Sequence, residues 1–513
     1  MSKTPLKSKT IINLICSVAV LITSTVISFW LSPYIVEHIG VEANGFVSLA
    51  NNFVTYAGLI VGALNSMAAR YITIAYHNDD KKKASLYYNS VFWGNLIIVA
   101  ILVVPAILLI IFFENLFDVP ADILLDVKIL FAFVFAGFFA GTAAPNWNVG
   151  CYVTNRLDRE YIPEAITAVI RSALVIGMLT IFTPHVWYVG LASFIITLAM
   201  LVVNCINTHQ LTPDLRICRE NGRFVCSFRA IWELVGSGLW NSVSSLGNVL
   251  LTGLDLIVCN AFFGATAMGV LSVAKTLPNL LQNLSSALTR SFSPELTIDY
   301  AKGNKDNLKR NINRSMKLTG SILTIFVGGF VAFGQSFFAL WVPSQDAKLL
   351  AILSALSFLG YFFTAGTQIL YNVFSTTNTV RQNATAMIIC GIVSIIVTFI
   401  LLKTTDLGLY AVAAVSSICA LVKNFVFTFP MTAKYLGFKK TTFFPMALRT
   451  FISTACIVGA GFLIQWLLPA SSWWMLMADA CIVGVFGLAL NCVVILSKDE
   501  RRFLVAKILR KGE

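Results

Sequence analysis

The residues of this chain with chemistry to offer lie inside apolar stretches. Asn241, Ser245, Asn248, Thr252 and Asp255 recur at spacings of 4, 3, 4 and 3, which puts them on one face of a helix. Lys275, Asn279, Gln282 and Ser286 do the same in the next apolar stretch, with Asn283 beside them. Asn51 and Asn52 open an earlier stretch that later carries Asn65 and Ser66, Asn146, Trp147 and Asn148 lie in another, and Gln368, Tyr371, Asn372 and Ser375 in a later one. Amides and hydroxyls satisfy neutral polar ligands through donors and acceptors, whereas a lysine ammonium meets an anion as a point charge. A charge at bilayer depth costs about 2.5–3.5 kcal/mol on insertion scales, so it is normally paired or faces water. Two readings of Lys275 and Asp255 follow. In one they form an ion pair or snorkel to a boundary. In the other Lys275 draws an anion into a water-filled cavity, while Asp255 tunes it or carries a coupling cation. Arg70 and Arg290, with Arg171 and Arg449, extend a basic path or mark the basic ends of helices. The asparagines bind ligand or hydrogen-bond helix to helix.

The elements that must position these residues follow from composition. Apolar residues make up 57% of the 513-residue chain, charged residues 12%, and the mean hydropathy is +0.80. A soluble domain carries about 25% charge. Fourteen apolar stretches are long enough, at about 20 residues, to cross a bilayer as helices. They cover 11–31, 46–69, 88–113, 123–149, 162–182, 186–206, 230–258, 265–288, 318–341, 349–374, 384–402, 407–430, 446–468 and 473–496. None alternates with period two, so helices are expected rather than barrel strands. Lysines and arginines crowd every second connection: Lys81–Lys83, Arg156 and Arg159, Arg216 to Arg229, Lys302 to Lys317, Arg381, Lys434 to Lys440, and both termini. The other connections hold only Lys128, Lys348 and Lys403. Cytoplasmic loops carry the excess of Lys and Arg, so both termini are expected in the cytoplasm. The net charge of +13 then reflects topology and attraction to anionic membrane lipids, and calls for no nucleic acid.

Half of the chain is written twice. Gly40, Gly45, Ser48 and Ala50 return at Gly264, Gly269, Ser272 and Ala274, each 224 residues on, and Asn51 is replaced by Lys275. ITIAYHNDDKKKASLYYN from Ile72 matches LTIDYAKGNKDNLKRNIN from Leu296 at the same offset, and LNSMAAR ending at Arg70 resembles LSSALTR ending at Arg290 with a slip of four. Six helices per copy is even, so both copies enter the membrane in the same orientation, as parallel repeats about an axis along its normal. The expected architecture is an all-α polytopic membrane protein. An N-lobe covers 1–210 (helices 1–6), a C-lobe 211–430 (helices 7–12), and two further helices with a basic tail 431–513. The two lobes would enclose a central cavity and rock about it.

No catalytic residues, metal or cofactor are expected. The eleven cysteines lack metal-ligand spacing, the four histidines lie at loops or helix ends without a nucleophile pattern, and no nucleotide-binding fingerprint is present.

The pattern G-x4-G-x2-S-x-A after the intramembrane Asp255, followed by TRSFSPEL and GNKDNLKRNINRSMKL, resembles the polysaccharide-transport flippases of the multidrug/oligosaccharidyl-lipid/polysaccharide exporter superfamily. The resemblance covers roughly residues 9–430. It implies movement of an undecaprenyl-pyrophosphate-linked oligosaccharide from the inner to the outer leaflet of a bacterial plasma membrane. The product would feed a polysaccharide polymerase and chain-length machinery for O-antigen, capsule or exopolysaccharide. Cationic cavity residues in such flippases meet the pyrophosphate, a role that Lys275 and Arg290 match by position. A proton or sodium gradient is the expected drive, with no residue that identifies the ion. A cation-coupled multidrug antiporter and a lipid II flippase of the same superfamily are the alternatives, and a membrane glycan polymerase or ligase is the enzymatic one. The absence of mid-depth acids from the first three helices argues against the antiporter.

Overall fold

The computed structural model describes residues 6–217, 219–220, 223–303, 305–496 and 501, and the described chain is helical almost throughout. By packing it divides into two compact units, Met1–Leu246 with Leu256–Gly269, and Gly247–Asp255 with Val270–Glu513. This division is a different quantity from the repeat boundaries at 210 and 430.

The first unit contains α1 (Leu6–Ile39), α2 (Val41–His77), α3 (Lys81–Ile111), α4 (Phe113–Leu116), α5 (Leu124–Ala143), α6 (Val149–Val153), α7 (Asp158–Ile181) and α8 (Trp187–Leu211). Its helix ends have local causes. Asp79 adopts φ 60°, and the Asp80 side chain accepts the Lys83 N–H at 3.0 Å, which caps α3. α5 packs along α8 so closely that a Cβ on Gly190 would lie 3.0 Å from the Leu130 carbonyl oxygen. The aromatic core there is built on Phe113, Phe117, Phe131 and Phe135. After α8 the connection forms a two-residue antiparallel ribbon, β1 (Arg219–Glu220) with β2 (Arg223–Phe224), where the sequence reading expected only a polar loop.

α9 (Phe228–Asn248) leads through a π-helical turn at Val249–Gly253 to α10 (Asp255–Ala274), which is followed by α11 (Thr276–Ala301) and α12 (Lys305–Trp341). α10 is two helices meeting at Gly264, whose φ of 80° and ψ of −178° belong to neither. Twenty residues of straight helix would span about 30 Å. Lys275, just past its end, touches Asp255 at its start, so the chain doubles back at Gly264.

The second unit continues with α13 (Ala347–Ser357), α14 (Tyr361–Thr364), α15 (Leu370–Thr376), α16 (Val380–Thr404), α17 (Leu409–Lys423), a second π-helical turn at Asn424–Thr428, α18 (Phe429–Tyr435), α19 (Phe444–Leu467) and α20 (Trp473–Val494). α12 is its spine, packed against α11, α13, α19 and α20.

Among the described residues eleven helices are long and apolar enough to cross a membrane, or twelve if the pair Ala347–Ser357 and Tyr361–Thr367, bent by 50°, is one span. The expected fourteen is not the number this criterion returns. The stretches at 230–258 and 265–288 count once because a helical run of 63 residues, Phe228–Arg290, covers both, although the chain reverses within it at Gly264. Helices also outrun the apolar stretches. α11 continues to Ala301 and α12 starts at Lys305, so the region 290–317 is mostly helix, turned at Gly303 (φ 67°). Hydropathy measures the thickness of the bilayer, and a polar sequence can keep a helix going beyond it.

The copies of the repeat meet at equivalent residues. Thr266 Oγ1 donates to Glu42 Oε1 at 2.8 Å, and those two positions are 224 apart. Gly45 lies against Gly269, also 224 apart, where a Cβ on Gly45 would be 2.9 Å from the Gly269 Cα. A residue can touch its own repeat partner only near the axis that relates the copies. Any axis that relates the copies therefore passes close to the start of α2 and the second half of α10.

Candidate functional site

Lys275 and Asp255 form an ion pair. Lys275 Nζ donates to Asp255 Oδ2 at 2.5 Å and to the Thr252 carbonyl oxygen at 3.0 Å. The π-helical turn just before Asp255 and the backbone break at Gly264 bring the two ends of α10 together, and π turns recur at functional positions in helices. Among the described residues the other ion pairs, such as Lys81 with Asp214 and Arg156 with Asp158, stand at helix ends or in connections. The pair is not sealed: the two side chains keep 16% and 15% of their exposure.

Beyond Lys275 the polar face of α11 opens outward. Asn279, Gln282, Asn283 and Arg290 are exposed, while Leu277, Leu281, Ser285 and Thr289 on the opposite face are buried. A stripe of exposed amides along a membrane helix faces water rather than lipid, since lipid leaves such groups unsatisfied. The sequence spacing of 4, 3 and 4 is thus a real surface with a lysine at one end and an arginine at the other.

The remaining predicted residues are distributed between the units. In the first, Asn51 is exposed on α2 and its amide donates back to the Val47 carbonyl at 3.0 Å. Arg70 is exposed near the far end of the same helix, and Asn241 is half-buried on α9. In the second, Asn248 is half-buried at the end of α9 and its carbonyl accepts from Thr252 Oγ1 at 3.1 Å. Asn372 on α15 donates to the Thr289 carbonyl on α11 at 2.9 Å, and Gln368 donates to Thr364 Oγ1 at 3.1 Å. Asn372 thus connects two helices, while the Gln368 bond is local, to the residue four positions earlier.

Two charges within apolar helices escaped the sequence reading. Lys423 at the end of α17 is 7% exposed. Its Nζ lies 2.8 Å from Met387 Sδ and 4.7 Å from the centre of the Tyr371 ring, and no carboxylate pairs with it among the described residues. A π-helical turn adjoins it too, and Asn424 in that turn accepts from the Tyr371 hydroxyl at 2.6 Å. The other charge is Asp479 on α20, 3% exposed, with Oδ2 enclosed and lacking a hydrogen-bond partner among the described residues. The signal for both was available: one charged residue in an otherwise apolar run. In the first unit the missed polar features are a reciprocal amide pair, Asn65 with Asn95 at 3.0 and 3.2 Å, and a chain from α9 in which Glu233 accepts from Tyr87 and Ser237 meets Tyr71.

The comparisons with known proteins give one family, one full-length relative and several solved structures of similar fold. The family described as polysaccharide biosynthesis protein matches residues 12–297, more than half of the chain. A protein of Bacillus subtilis (strain 168), described as uncharacterized membrane protein EpsK, is 26% identical over 517 residues, covering 98% of each chain. Among solved structures, the lipid II flippase MurJ in an inward closed conformation aligns with a TM-score of 0.60 at 14% identity, over 93% of this chain and 97% of that one. An inward-facing multidrug resistance MATE family transporter of the MOP superfamily aligns at 0.53 and 15% identity, over 86% and 94%. A MOP superfamily transporter from Pyrococcus furiosus aligns at 0.54 and 16%, over 88% and 96%. At such identities the structural likeness is one of fold.

Proposed function

The chain belongs to the polysaccharide biosynthesis protein family, and on that premise we propose that this multi-pass membrane protein is a flippase for a lipid-linked oligosaccharide. Its cargo is an undecaprenyl-pyrophosphate-linked repeat unit, carried from the inner to the outer leaflet of a bacterial plasma membrane. No bond is made or broken. Two lobes alternate in giving the sugar and the diphosphate access to one side and then the other, and a proton or sodium gradient drives the cycle. The termini are cytoplasmic, and the delivered unit passes to a polymerase and its chain-length machinery.

The observation that carries this reading is the polar face of α11. Its exposed amides suit sugar hydroxyls, and Lys275 and Arg290 suit a phosphate. Asp255 fits as the group that holds Lys275 in place while the cavity is empty, because a lysine left unpaired at this depth would be costly. Depth supports the assignment. Asp255 and Lys275 stand nine and eleven residues from the turn at Gly264. That is about 14–16 Å along a helix, half of a hydrocarbon core about 30 Å thick. MurJ is named as a lipid II flippase, which makes a lipid-linked cargo compatible with this fold. The MATE transporters keep the multidrug antiporter as the rival, but the basic and amide-rich character of α11 favours an anionic, hydroxylated cargo over an organic cation.

The test is deletion of the protein in its host, followed by analysis of surface glycan and of undecaprenyl-pyrophosphate-linked intermediates. The expected result is loss of a surface polymer with its repeat unit trapped on the cytoplasmic leaflet. Normal glycan with no trapped lipid, together with loss of drug efflux against an ion gradient, would replace this reading with the antiporter.

A further inference from the structure

Asp479 has the least accommodated charge in the second unit. It lies six residues into α20, about 9 Å along the helix from Trp473. Leu476, Val483, Gly487 and Asn491 are buried with it on the face that packs on α12 and α19. The far end of that face is fully satisfied, since Asn491 donates to the Ser321 carbonyl at 2.8 Å and to Thr324 Oγ1 at 3.0 Å and accepts from Ser453. Asp479 has no such arrangement. Its Oδ2 is enclosed without a partner, and among the described residues no cation pairs with it. The span of α12 from 318 to 341 contains no titratable residue. On α19 the titratable groups are Arg449, about 27 Å along the helix from Leu467 and exposed, and Cys456, also exposed; Cys481 and Cys492 on α20 are exposed as well. Beside this turn of α20 is an apolar cavity of about 310 Å³, bounded by Leu476, Ala480 and Val483 and by Phe330, Phe333 and Phe337 of α12.

A buried carboxyl in a membrane helix is costly as an anion unless paired or hydrated, and such residues mark ion and proton pathways. Sodium would need several oxygen ligands, which an apolar surround does not supply. A proton needs one carboxyl. We propose that Asp479 is a proton-binding site whose occupancy controls the packing of α20 against α12. The loaded carboxyl is compatible with the arrangement seen. Release leaves a carboxylate that must reach water, and the half-open apolar cavity beside α20 leaves that side of the helix loosely packed, so that it can shift. A ligand that binds one arrangement better than the other shifts their populations by its differential affinity. This deepens the transport reading by naming the coupling ion and its residue, and it rests on that reading only for its link to flux.

Two measurements on the full-length protein test it. The first is infrared spectroscopy in lipid nanodiscs over a pH series. The wild type should show a carboxylic-acid C=O band that titrates, absent from Asp479→Asn and displaced but present in Asp479→Glu, which also controls for folding. The same titrating band in Asp479→Asn, or a wild-type band that answers to sodium at fixed pH, overturns the proposal. The second is flux of undecaprenyl pyrophosphate bearing one labelled sugar, in vesicles with and without a proton gradient. The wild-type ratio of the two fluxes should exceed unity and fall to unity in Asp479→Asn, with Asp479→Glu retaining it. A gradient response kept by Asp479→Asn overturns the coupling. A wild type that moves no probe while its band titrates would leave the proton site standing and remove the flippase reading.

Discussion

Gly40 and Gly264, 224 residues apart, bend the chain through the same extended, positive-φ conformation, at φ 109° and ψ 164° in the first copy and φ 80° and ψ −178° in the second. Eleven residues later the copies part. Asn51 is neutral, exposed and bonded to its own helix, while Lys275 is charged and paired across a turn. The partner differs as well: the position equivalent to Asp255 is Leu31. The duplication has kept the backbone and placed the ion pair in one copy. Backbone at the axis is constrained by the other copy, through Gly45 against Gly269 and Glu42 with Thr266. Side chains that point away from that contact are not constrained in that way and are free to specialise.

The largest effect is expected where the copies differ. Lys275→Ala strips the partner from a largely buried carboxylate, and breaking a buried pair in this way costs about 3–5 kcal/mol. Both thermal stability in nanodiscs and flux of the lipid-linked glycan should fall. Adding Asp255→Asn to that background removes the orphaned charge, so stability should return while flux stays low. If the double variant recovers flux too, the pair is architectural and the comparison loses its functional content. Asn51→Ala, at the equivalent position, should leave stability within about 0.5 kcal/mol, as a surface change does.

Where the copies agree, the effects should be smaller and shared. A Cβ on Gly269 would come within 2.3 Å of the Val41 carbonyl oxygen, a backbone atom with nowhere to go, whereas one on Gly45 would meet the Gly269 Cα at 2.9 Å. Gly269→Ala should therefore cost about 2–3 kcal/mol, in the upper part of the range for overpacking, and Gly45→Ala less. Gly58→Ala on α2 has open space and serves as the neutral control. Unequal stability losses in a thermal-shift series, ranked Gly269, Gly45, Gly58, would support the crossing at the axis, and equal ones would dissolve it. Gly264→Ala and Gly40→Ala should each cost about 1–2 kcal/mol, since both glycines occupy a region that L-residues reach only with strain. A larger loss at Gly264 would trace to Asp118, whose Oδ2 would lie 2.7 Å from the new Cβ, whereas a larger loss at Gly40 would mean that the turns, unlike their backbones, are not equivalent.

Much of this comparison was legible in the sequence, because repetition is a property of spacing. The offset of 224 located the glycines, and the starts of α3 at Lys81 and α12 at Lys305 keep the same offset, although the apolar stretches begin only at 88 and 318. The polar face of α11 was also visible, because exposure follows helical period. Three things were not. Whether Lys275 pairs with Asp255 depended on the reversal at Gly264, which brings together residues twenty apart and which no periodicity encodes. Asn372 was indistinguishable from a ligand-binding amide until the Thr289 carbonyl was found beside it. Lys423 and Asp479 are single charges inside apolar runs, and their burial, unlike the positive charges of the connections, reports no topology and follows only from packing.

The smallest effect belongs to the first copy alone and concerns pH. Glu114 on α4, in the connection between α3 and α5, pairs with Lys128 in the first turns of α5, and the hydrogen bond from Lys128 holds its carboxyl below the usual glutamate range. A lowered folded-state pKa contributes stability that is present above the unfolded value and lost as pH falls through the folded one. The wild type should thus be slightly more stable than Glu114→Gln at neutral pH, with the gap closing only once the medium is more acidic than an ordinary glutamate requires. Glu114 is exposed and Lys128 half-buried, so added salt should shrink the gap at every pH. A gap that widens on acidification would reverse the sign of the argument. A gap indifferent to both pH and salt would assign Glu114 a packing role instead, leaving the copies to differ at this end in shape and not in charge.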